Sequence, residues 1–133
     1  MIIPFLNFAG QAGEAIAFYE TVFEVTNKNI ALFKDMPEDM KQHFSRDTDN
    51  YVMHGEMVIN GTQVWIGDTT QGITSGDMVT LSVPLSSPEE VRKTFDKLKE
   101  GGEVFMEPEP TFYSLLFGSV KDKFGVIWHL ICQ

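Results

Sequence analysis

The residues best suited to chemistry in this chain are two histidines in apolar surroundings and one carboxylate. His54 and Glu56 are two residues apart in an apolar run typical of a β-strand, so their side chains are expected to share a face. His129 lies in a second apolar run, near residue 133. Two imidazoles and a carboxylate could bind a divalent metal or carry out general acid and base catalysis. A local ion pair and a half-buried, hydrogen-bonded histidine would explain the same residues without any ligand.

The remaining candidates carry weaker signals. His43 lies in a highly charged segment and is expected to be solvated, whereas Cys132 has no basic neighbour in sequence and is expected to be buried. Trp65 and Trp128 are expected to pack in the core, although aromatic side chains also line small-molecule pockets. No Gly-x-Ser-x-Gly elbow and no Gly-rich phosphate loop occurs, so the sequence supports neither a hydrolase nor a dinucleotide-binding domain.

The strand of His54 and Glu56 belongs to a predicted β-hairpin. Apolar runs at 51–59 and 62–68 are joined by Asn60-Gly61, which is the strongest short sequence signal for a hairpin turn. Before them come an apolar run at 2–8, a helical spacing at 15–23 and a loosely alternating segment at 25–33. The charged segment 35–50, which contains Pro37, predicts a loop or a short lid helix.

The second half of the chain repeats this pattern. An apolar run at 78–85 precedes Ser87-Pro88, which predicts a helix start, with Glu90 placed to complete a capping box. Gly101-Gly102 predicts the end of that helix. Strands are then predicted at 103–106, near 112–120 and at 126–132. The sequence therefore predicts an α+β fold: two βαβββ modules, 1–68 and 77–133, within a single domain 1–133, forming a mostly antiparallel curled sheet with the helices on its outer face.

Composition limits the classes of partner. The chain has 133 residues with 10 basic and 19 acidic side chains, for a net charge of −9. This charge disfavours nucleic acid, and no apolar run is long enough for a membrane span. A chain of this size needs no disulfide or structural metal to hold its core. A single cysteine, and a start without a basic region, favour a soluble cytoplasmic protein.

Three segments resemble a known family. They are PFLNFAGQAGEAIAFYETVF at 4–23, MHGEMVINGTQVWIGD at 53–68 and TFYSLLFGSVKDKFGVIW at 111–128. They resemble the PhnB-like branch of the vicinal oxygen chelate superfamily, the glyoxalase, bleomycin resistance and dioxygenase group. Its members are often labelled 3-demethylubiquinone-9 3-methyltransferase-like, yet this chain has no Gly-rich loop for a methyl donor. The most specific residues of the match are Thr111, Phe112, Phe117, Gly118, Asp122, Phe124, Gly125 and Trp128.

The resemblance implies a paired βαβββ fold whose cleft is completed by dimerisation. In metal-using relatives, ligands come from the first and last strands of each half, which places them here near Pro4, Trp65, Thr80 and His129. Of these, only His129 is a competent ligand, and catalytic metal sites usually need three protein ligands.

Two further features follow from the same resemblance. The branch commonly shows a His-x-Glu on the third strand, which this chain keeps as His54 and Glu56. Relatives usually have Trp-Gly after the residue that corresponds to Phe112, whereas Tyr113 and Ser114 stand here and reshape any pocket wall near them.

Three hypotheses of function follow. The first is a homodimeric small-molecule binding protein without a catalytic metal or cofactor. The second is a glyoxalase-like isomerase or lyase, or a dioxygenase, with a divalent metal on His54, Glu56 and His129. The third is an interaction module that docks a partner through Met36, Met40 and Phe44 of segment 35–50. In the first hypothesis, the ligand-binding cleft is lined by His54, Glu56, Trp65, Thr80, Phe112, Tyr113 and His129.

Overall fold

The computed structural model describes residues 1–133 as two compact units, Met1–Thr74 and Ser75–Gln133. Each unit contains one βαβββ module, so the predicted duplication is confirmed. The first module comprises β1 (Phe5–Phe8), α1 (Ala12–Val22), β2 (Val25–Leu32), β3 (Val52–Ile59) and β4 (Thr62–Asp68), with a short helix α2 (Glu38–Lys41) between β2 and β3. The second comprises β5 (Leu81–Pro84), α3 (Pro88–Leu98), β6 (Glu103–Thr111), β7 (Ser114–Lys121) and β8 (Ile127–Cys132).

The two sheets have the same strand order. The first runs β1-β4-β3-β2 and the second β5-β8-β7-β6. In each sheet the first and last strands of the module pair in parallel, and the other two pairs are antiparallel. The sheets are therefore mixed but mainly antiparallel, in agreement with the predicted α+β class.

The β3–β4 hairpin forms where Asn60-Gly61 predicts it. Both turn residues have positive φ, 45° for Asn60 and 87° for Gly61, and Ile59 pairs with Thr62. Two left-handed residues give the turn whose twist matches that of antiparallel strands. This turn sets the register that brings Trp65 opposite Glu56.

One face of the first sheet is buried. Met57, Ile59, Val64 and Ile66 are all 5% exposed or less. Gly55 lies on this face, because a Cβ there would come within 2.9 Å of side-chain atoms of Ile30 and Ile66. His54, Glu56 and Trp65 alternate with these residues, so they point to the opposite face.

The second sheet is covered by α3 on one face. A Cβ added to Gly118 would lie 3.2 Å from Cδ2 of Phe95, so Gly118 allows the close approach of that ring. Leu130 and Val120 are fully buried. His129 and Phe117 alternate with these buried residues and so face away from α3.

The start of α3 differs in one detail from the predicted capping box. Ser87 Oγ accepts the backbone N–H of Glu90 at 3.2 Å, as expected of an N-cap. The Glu90 carboxylate, however, accepts hydrogen bonds from the hydroxyl (2.7 Å) and backbone N–H (3.1 Å) of Ser86, one residue before the cap. These hydrogen bonds lower the pKa of Glu90 below its ordinary value, the hydroxyl contributing most.

Two predicted strand boundaries are wrong. The strand expected from residue 78 begins only at Leu81, and Met78 is 96% exposed. The strand predicted near 112–120 begins only at Ser114, because Phe112 and Tyr113 form the β6–β7 turn. Polar groups at both ends close this turn, because Thr111 Oγ1 and Ser114 Oγ lie 2.6 Å apart.

Segment 35–50 is irregular, as predicted. It contains the end of the 3₁₀ turn Phe33–Asp35, the four-residue α2 and a second 3₁₀ turn, Arg46–Thr48. None of the helices has both the length and the apolar character that a bilayer crossing requires.

Candidate functional site

In the first module, β3 and β4 bring the predicted residues His54, Glu56 and Trp65 together on the helix-free face. His54 Nε2 lies 3.8 Å from Glu56 Oε1, within ion-pair distance when the imidazole is protonated. The ring centroids of His54 and Trp65 are 5.0 Å apart in an edge-to-face arrangement. The prediction that His54 and Glu56 share a face is thus confirmed.

The indole N–H of Trp65 has no partner. Its Nε1 atom is buried from solvent and makes no hydrogen bond. Trp128 shows the usual solution, since its Nε1 donates to Asp122 Oδ2 at 2.9 Å. Buried donors without partners are rare and energetically costly in proteins.

Phe5 completes this aromatic group. It pairs with Trp65 across the parallel β1–β4 ladder, and its ring centroid lies 6.0 Å from that of His54. Gly67 makes room for it, because a Cβ at that position would lie 3.2 Å from Cζ of Phe5. The Phe5 side chain was missed from the sequence because the pairing of β1 with β4 spans about sixty residues.

In the second module, four rings run from the β6–β7 turn to His129. Phe112 and Tyr113 meet at 5.0 Å between centroids, Tyr113 and Phe117 at 6.1 Å, and Phe117 and His129 at 4.9 Å. Phe112 is fully exposed and Tyr113 half-exposed. The imidazole of His129 forms no hydrogen bond within the chain.

Thr80 lies immediately before β5 and is half-buried. The residue that pairs with His129 across the parallel β5–β8 ladder is Ser82, two positions further on. Side chains two residues apart in an extended chain share a face. Thr80 is therefore two residues before the position opposite His129, on the same side of the chain.

The two modules place equivalent residues in equivalent pairs. Gly55 pairs with Ile66, and Gly118 with Leu130, so the next residues along match as well: Glu56 opposite Trp65, and Ser119 opposite His129. Phe117 thus corresponds to His54. In the first module the third strand carries the imidazole (His54) and the last strand the aromatic ring (Trp65). In the second module the third strand carries the aromatic ring (Phe117) and the last strand the imidazole (His129).

A row of side chains crosses the first sheet at this level. Phe5 pairs with Trp65, Trp65 with Glu56, and Glu56 with Asn29 of the edge strand β2. Directly opposite side chains are close enough to interact. The row therefore joins an aromatic end to a polar end on one sheet face.

Two carboxylates that sequence analysis did not single out as functional hold the modules in shape. Asp68, at the end of β4, accepts the backbone N–H groups of Gly10 (2.7 Å) and Ala12 (3.0 Å) at the start of α1, and that of Val52 (2.9 Å). Gln11, at the N-cap position of α1, makes no side-chain cap. Asp68 satisfies the N–H of Ala12, the first residue of α1, which has no partner within the helix.

Asp122 has the corresponding role in the second module. Its Oδ1 accepts the backbone N–H groups of Phe124 (2.9 Å) and Val126 (3.0 Å), and Oδ2 accepts the indole of Trp128. Gly125, in the same turn, has a φ of 96°. The closing motif of the resemblance is thus a turn whose buried carboxylate organises both backbone and indole.

The paired positions on the first and last strands of each module carry few metal donors. At the paired positions on the first and last strands of the modules stand Phe5 with Trp65, and Ser82 with His129. Only His129 offers a strong metal donor. Nowhere in the structure do three or more His, Cys, Asp or Glu side chains converge to hold an ion. The alternative metal site on His54, Glu56 and His129 would draw its donors from both compact units, and it stays a prediction.

The remaining candidates lie where the sequence placed them, except Met36. His43 is exposed and Cys132 is buried. Of the three residues proposed to dock a partner, Met36 is only 6% exposed, whereas Met40 and Phe44 are 49% and 39% exposed. Met36 is therefore a core residue.

Comparison with known proteins agrees with the geometry. Residues 1–131 match the family described as 3-demethylubiquinone-9 3-methyltransferase. Protein YjdN of Escherichia coli strain K12 is 30% identical over 132 residues, covering 94% of this chain and 90% of YjdN.

Solved structures of similar proteins cover almost the whole chain. A putative 3-demethylubiquinone-9 3-methyltransferase, PhnB protein, from Bacillus cereus is 26% identical, with a TM-score of 0.81 and coverage of 99% of this chain and 98% of that one. A Pseudomonas aeruginosa protein is 28% identical, with a TM-score of 0.84 and coverage of 100% and 97%.

More distant structures share the fold alone. The fosfomycin resistance protein FosX of Listeria monocytogenes, solved with Mn(II) and sulfate, is 13% identical, with a TM-score of 0.67 and coverage of 100% of this chain and 91% of that one. Together with the duplicated βαβββ modules, the match over residues 1–131 assigns the family. The chain belongs to the PhnB-like, 3-demethylubiquinone-9 3-methyltransferase-like branch of the vicinal oxygen chelate superfamily.

Proposed function

We propose that this chain is a small-molecule binding protein that holds a ligand on the helix-free sheet face of a module without a catalytic metal, and that it acts as a homodimer. The observation that carries the proposal is the buried, unpartnered indole N–H of Trp65. A ligand that accepts a hydrogen bond from Nε1 would remove the cost of leaving this donor unsatisfied.

The surroundings of Trp65 support this role. His54 and Glu56, 41% and 35% exposed in their side chains, remain accessible beside it. Aromatic surface combined with a few polar groups is the usual composition of small-molecule sites. In the second module, Phe112, Tyr113 and His129 offer the same mixture, with Thr80 at the edge of the sheet. The paired strand positions of each module carry few metal donors, which supports a proposal without a catalytic step.

The test is a thermal-shift screen of a metabolite library, followed by NMR of the Trp65 indole. A true ligand should raise the melting temperature and shift the Nε1–H resonance of Trp65 downfield, while leaving that of Trp128 in place. A Trp65→Phe variant should lose the thermal shift. Trp128 serves as the matched control, because its indole is already bonded to Asp122.

Two results would overturn the proposal. One is a library in which no compound shifts the melting temperature. The other is a set of hits that perturb neither Trp65 nor His129. Dimerisation is tested separately by sedimentation, where the mass should be twice the 15.0 kDa of one chain.

A further inference from the structure

A concave region of the first sheet includes Glu56, the residue that pairs with Trp65. Its volume is about 440 Å³, within the range of small-molecule sites. We name it the hairpin groove, since it lies beside the Asn60-Gly61 turn. It is lined chiefly by Asn27, Asn29, Glu56, Val58, Gly61 and Gln63.

Strand register explains why these side chains converge. Asn29 pairs with Glu56, and Gln63 with Val58, so all four stand in two adjacent rows of the sheet. Glu56 also pairs with Trp65. This carboxylate therefore belongs both to the groove and to the proposed ligand site.

A bulge in the edge strand contributes the remaining amide. Between the pairs of Thr26 with Val58 and Asn29 with Glu56, β2 has two residues where β3 has only Met57. Asn27 adopts a φ of 53° in this bulge. Bulges re-aim side chains and are common beside functional sites, and Asn tolerates the left-handed conformation better than most residues.

The charge of the groove is set by one residue. Glu56 is the only charged side chain in the lining, which contains no lysine or arginine. Lys28, in the bulge, is bound instead to Glu20, with Nζ 3.1 Å from Oε1. The nearest cationic group to Glu56 is the imidazole of His54 at 3.8 Å, which carries charge only when protonated. With a chain net charge of −9, the groove favours a cation.

The amides provide the rest of the recognition. The side chains of Asn27, Asn29 and Gln63 make no hydrogen bonds to other groups of the chain. Each carboxamide offers two N–H donors and a carbonyl acceptor. Hydroxyl groups both donate and accept, so they can bond to either end of a carboxamide.

We propose that the hairpin groove binds a small organic cation that carries several hydroxyl groups, such as an amino sugar, with its ammonium group at Glu56. This inference rests on the proposed function, because it names the ligand class of that site. The ammonium pairs with the carboxylate, and the hydroxyls bond to Asn27, Asn29 and Gln63.

The test uses three probes of nearly equal size: glucosamine, which is cationic, glucose, which is neutral, and glucuronate, which is anionic. Each is titrated into ¹⁵N-labelled protein while the side-chain amides of Asn27, Asn29 and Gln63 are followed by NMR. Glucosamine should shift these signals at millimolar concentration, glucose should bind more weakly, and glucuronate should not bind.

A Glu56→Gln variant keeps the shape of the side chain and removes its charge. It should weaken glucosamine binding by about tenfold, the effect of losing one charged hydrogen bond, while glucose binding remains. The matched control is Glu103→Gln, an exposed strand residue outside the groove, which should bind like the unaltered protein.

The outcomes separate this inference from the proposed function. The ligand class is wrong if glucosamine leaves the three amides unshifted. It is also wrong if glucose binds as tightly as glucosamine, or if the Glu56→Gln variant binds glucosamine as tightly as the unaltered protein. Library hits that still shift the Trp65 indole would then leave the proposed function standing. If no library compound perturbs Trp65 or His129 either, both proposals fail.

Discussion

Trp65 and His129 occupy the same position in their respective modules. Each stands on the last strand of its module, opposite the third-strand residue that follows a glycine, namely Glu56 or Ser119. Each also meets an aromatic or imidazole ring of the third strand edge to face, at 5.0 Å for His54–Trp65 and 4.9 Å for Phe117–His129. The duplication has thus kept a two-ring contact while exchanging which strand carries the imidazole.

The two tryptophans should respond differently to truncation. We expect Trp65→Phe to change the free energy of unfolding by less than about 1 kcal/mol, because the loss of apolar surface is offset by removal of an unsatisfied donor. Trp128→Phe should cost roughly 2 kcal/mol more, since it takes a partner from the buried Asp122 carboxylate. Urea denaturation of both variants measures this difference, and equal losses would contradict it.

Asp68 should be one of the most sensitive polar positions in the first module. Asp68→Ala removes the acceptor for three backbone N–H groups, so we expect a loss of about 3 kcal/mol or more. Asp68→Asn keeps one carbonyl oxygen for Gly10 and Ala12 but places an amide group at Val52. Its free energy of unfolding should lie between that of the unaltered protein and that of Asp68→Ala.

Asp77→Ala is the control for that measurement. Asp77 is exposed and forms no ion pair or hydrogen bond within the chain. Its removal should leave the free energy of unfolding within about 0.5 kcal/mol of the unaltered protein. If Asp68→Ala is equally mild, the cap that it provides to α1 is not a significant source of stability.

Two glycines should respond in opposite directions to alanine. Gly13 lies in α1 with no atom within 4 Å of an added Cβ, so Gly13→Ala should stabilise by about 0.5–1 kcal/mol through helix propensity. Gly102 follows α3, and its Cβ would collide with the backbone carbonyl of Lys121. Gly102→Ala should therefore lower the melting temperature, whereas Gly13→Ala should raise it, in the same calorimetric experiment.

Metal binding should be absent at stoichiometric levels. Protein purified without chelator or affinity metal, then exposed to Fe(II), Zn(II), Mn(II) and Ni(II), should retain well below one ion per chain, because fewer than three donors converge. Mass spectrometry measures the content. About one ion per chain, lost in a His54→Ala, His129→Ala double variant, would instead revive the metal-dependent enzyme.

Much of the fold could be predicted because its signals are local. Asn60-Gly61 fixes a two-residue hairpin loop, and from Ile59 opposite Thr62 the register already sets Glu56 opposite Trp65. Apolar spacing and the Ser87-Pro88 start were enough to identify the second helix.

The rest of the site depends on relationships that no local pattern contains. Asn29 reaches the row of Glu56 only because a bulge adds a residue to β2, which alternation alone does not reveal. The resemblance places a site position at Thr80, whereas Ser82 pairs with His129, because the boundary of a four-residue strand cannot be read from its apolar content. That the indole N–H of Trp65 has no hydrogen-bond acceptor can be recognised only when all the neighbouring atoms are known.

The position of the last strand in each sheet has a consequence for the order of folding. β4 lies between β1 and β3, so β1 has no strand partner until residues 65–68 of β4 pair with it. The β2–β3–β4 meander can form from neighbouring segments, but docking β1 must close a loop of about sixty residues. We therefore expect substitutions in the β3–β4 hairpin to slow folding, and substitutions in β1 mainly to speed unfolding.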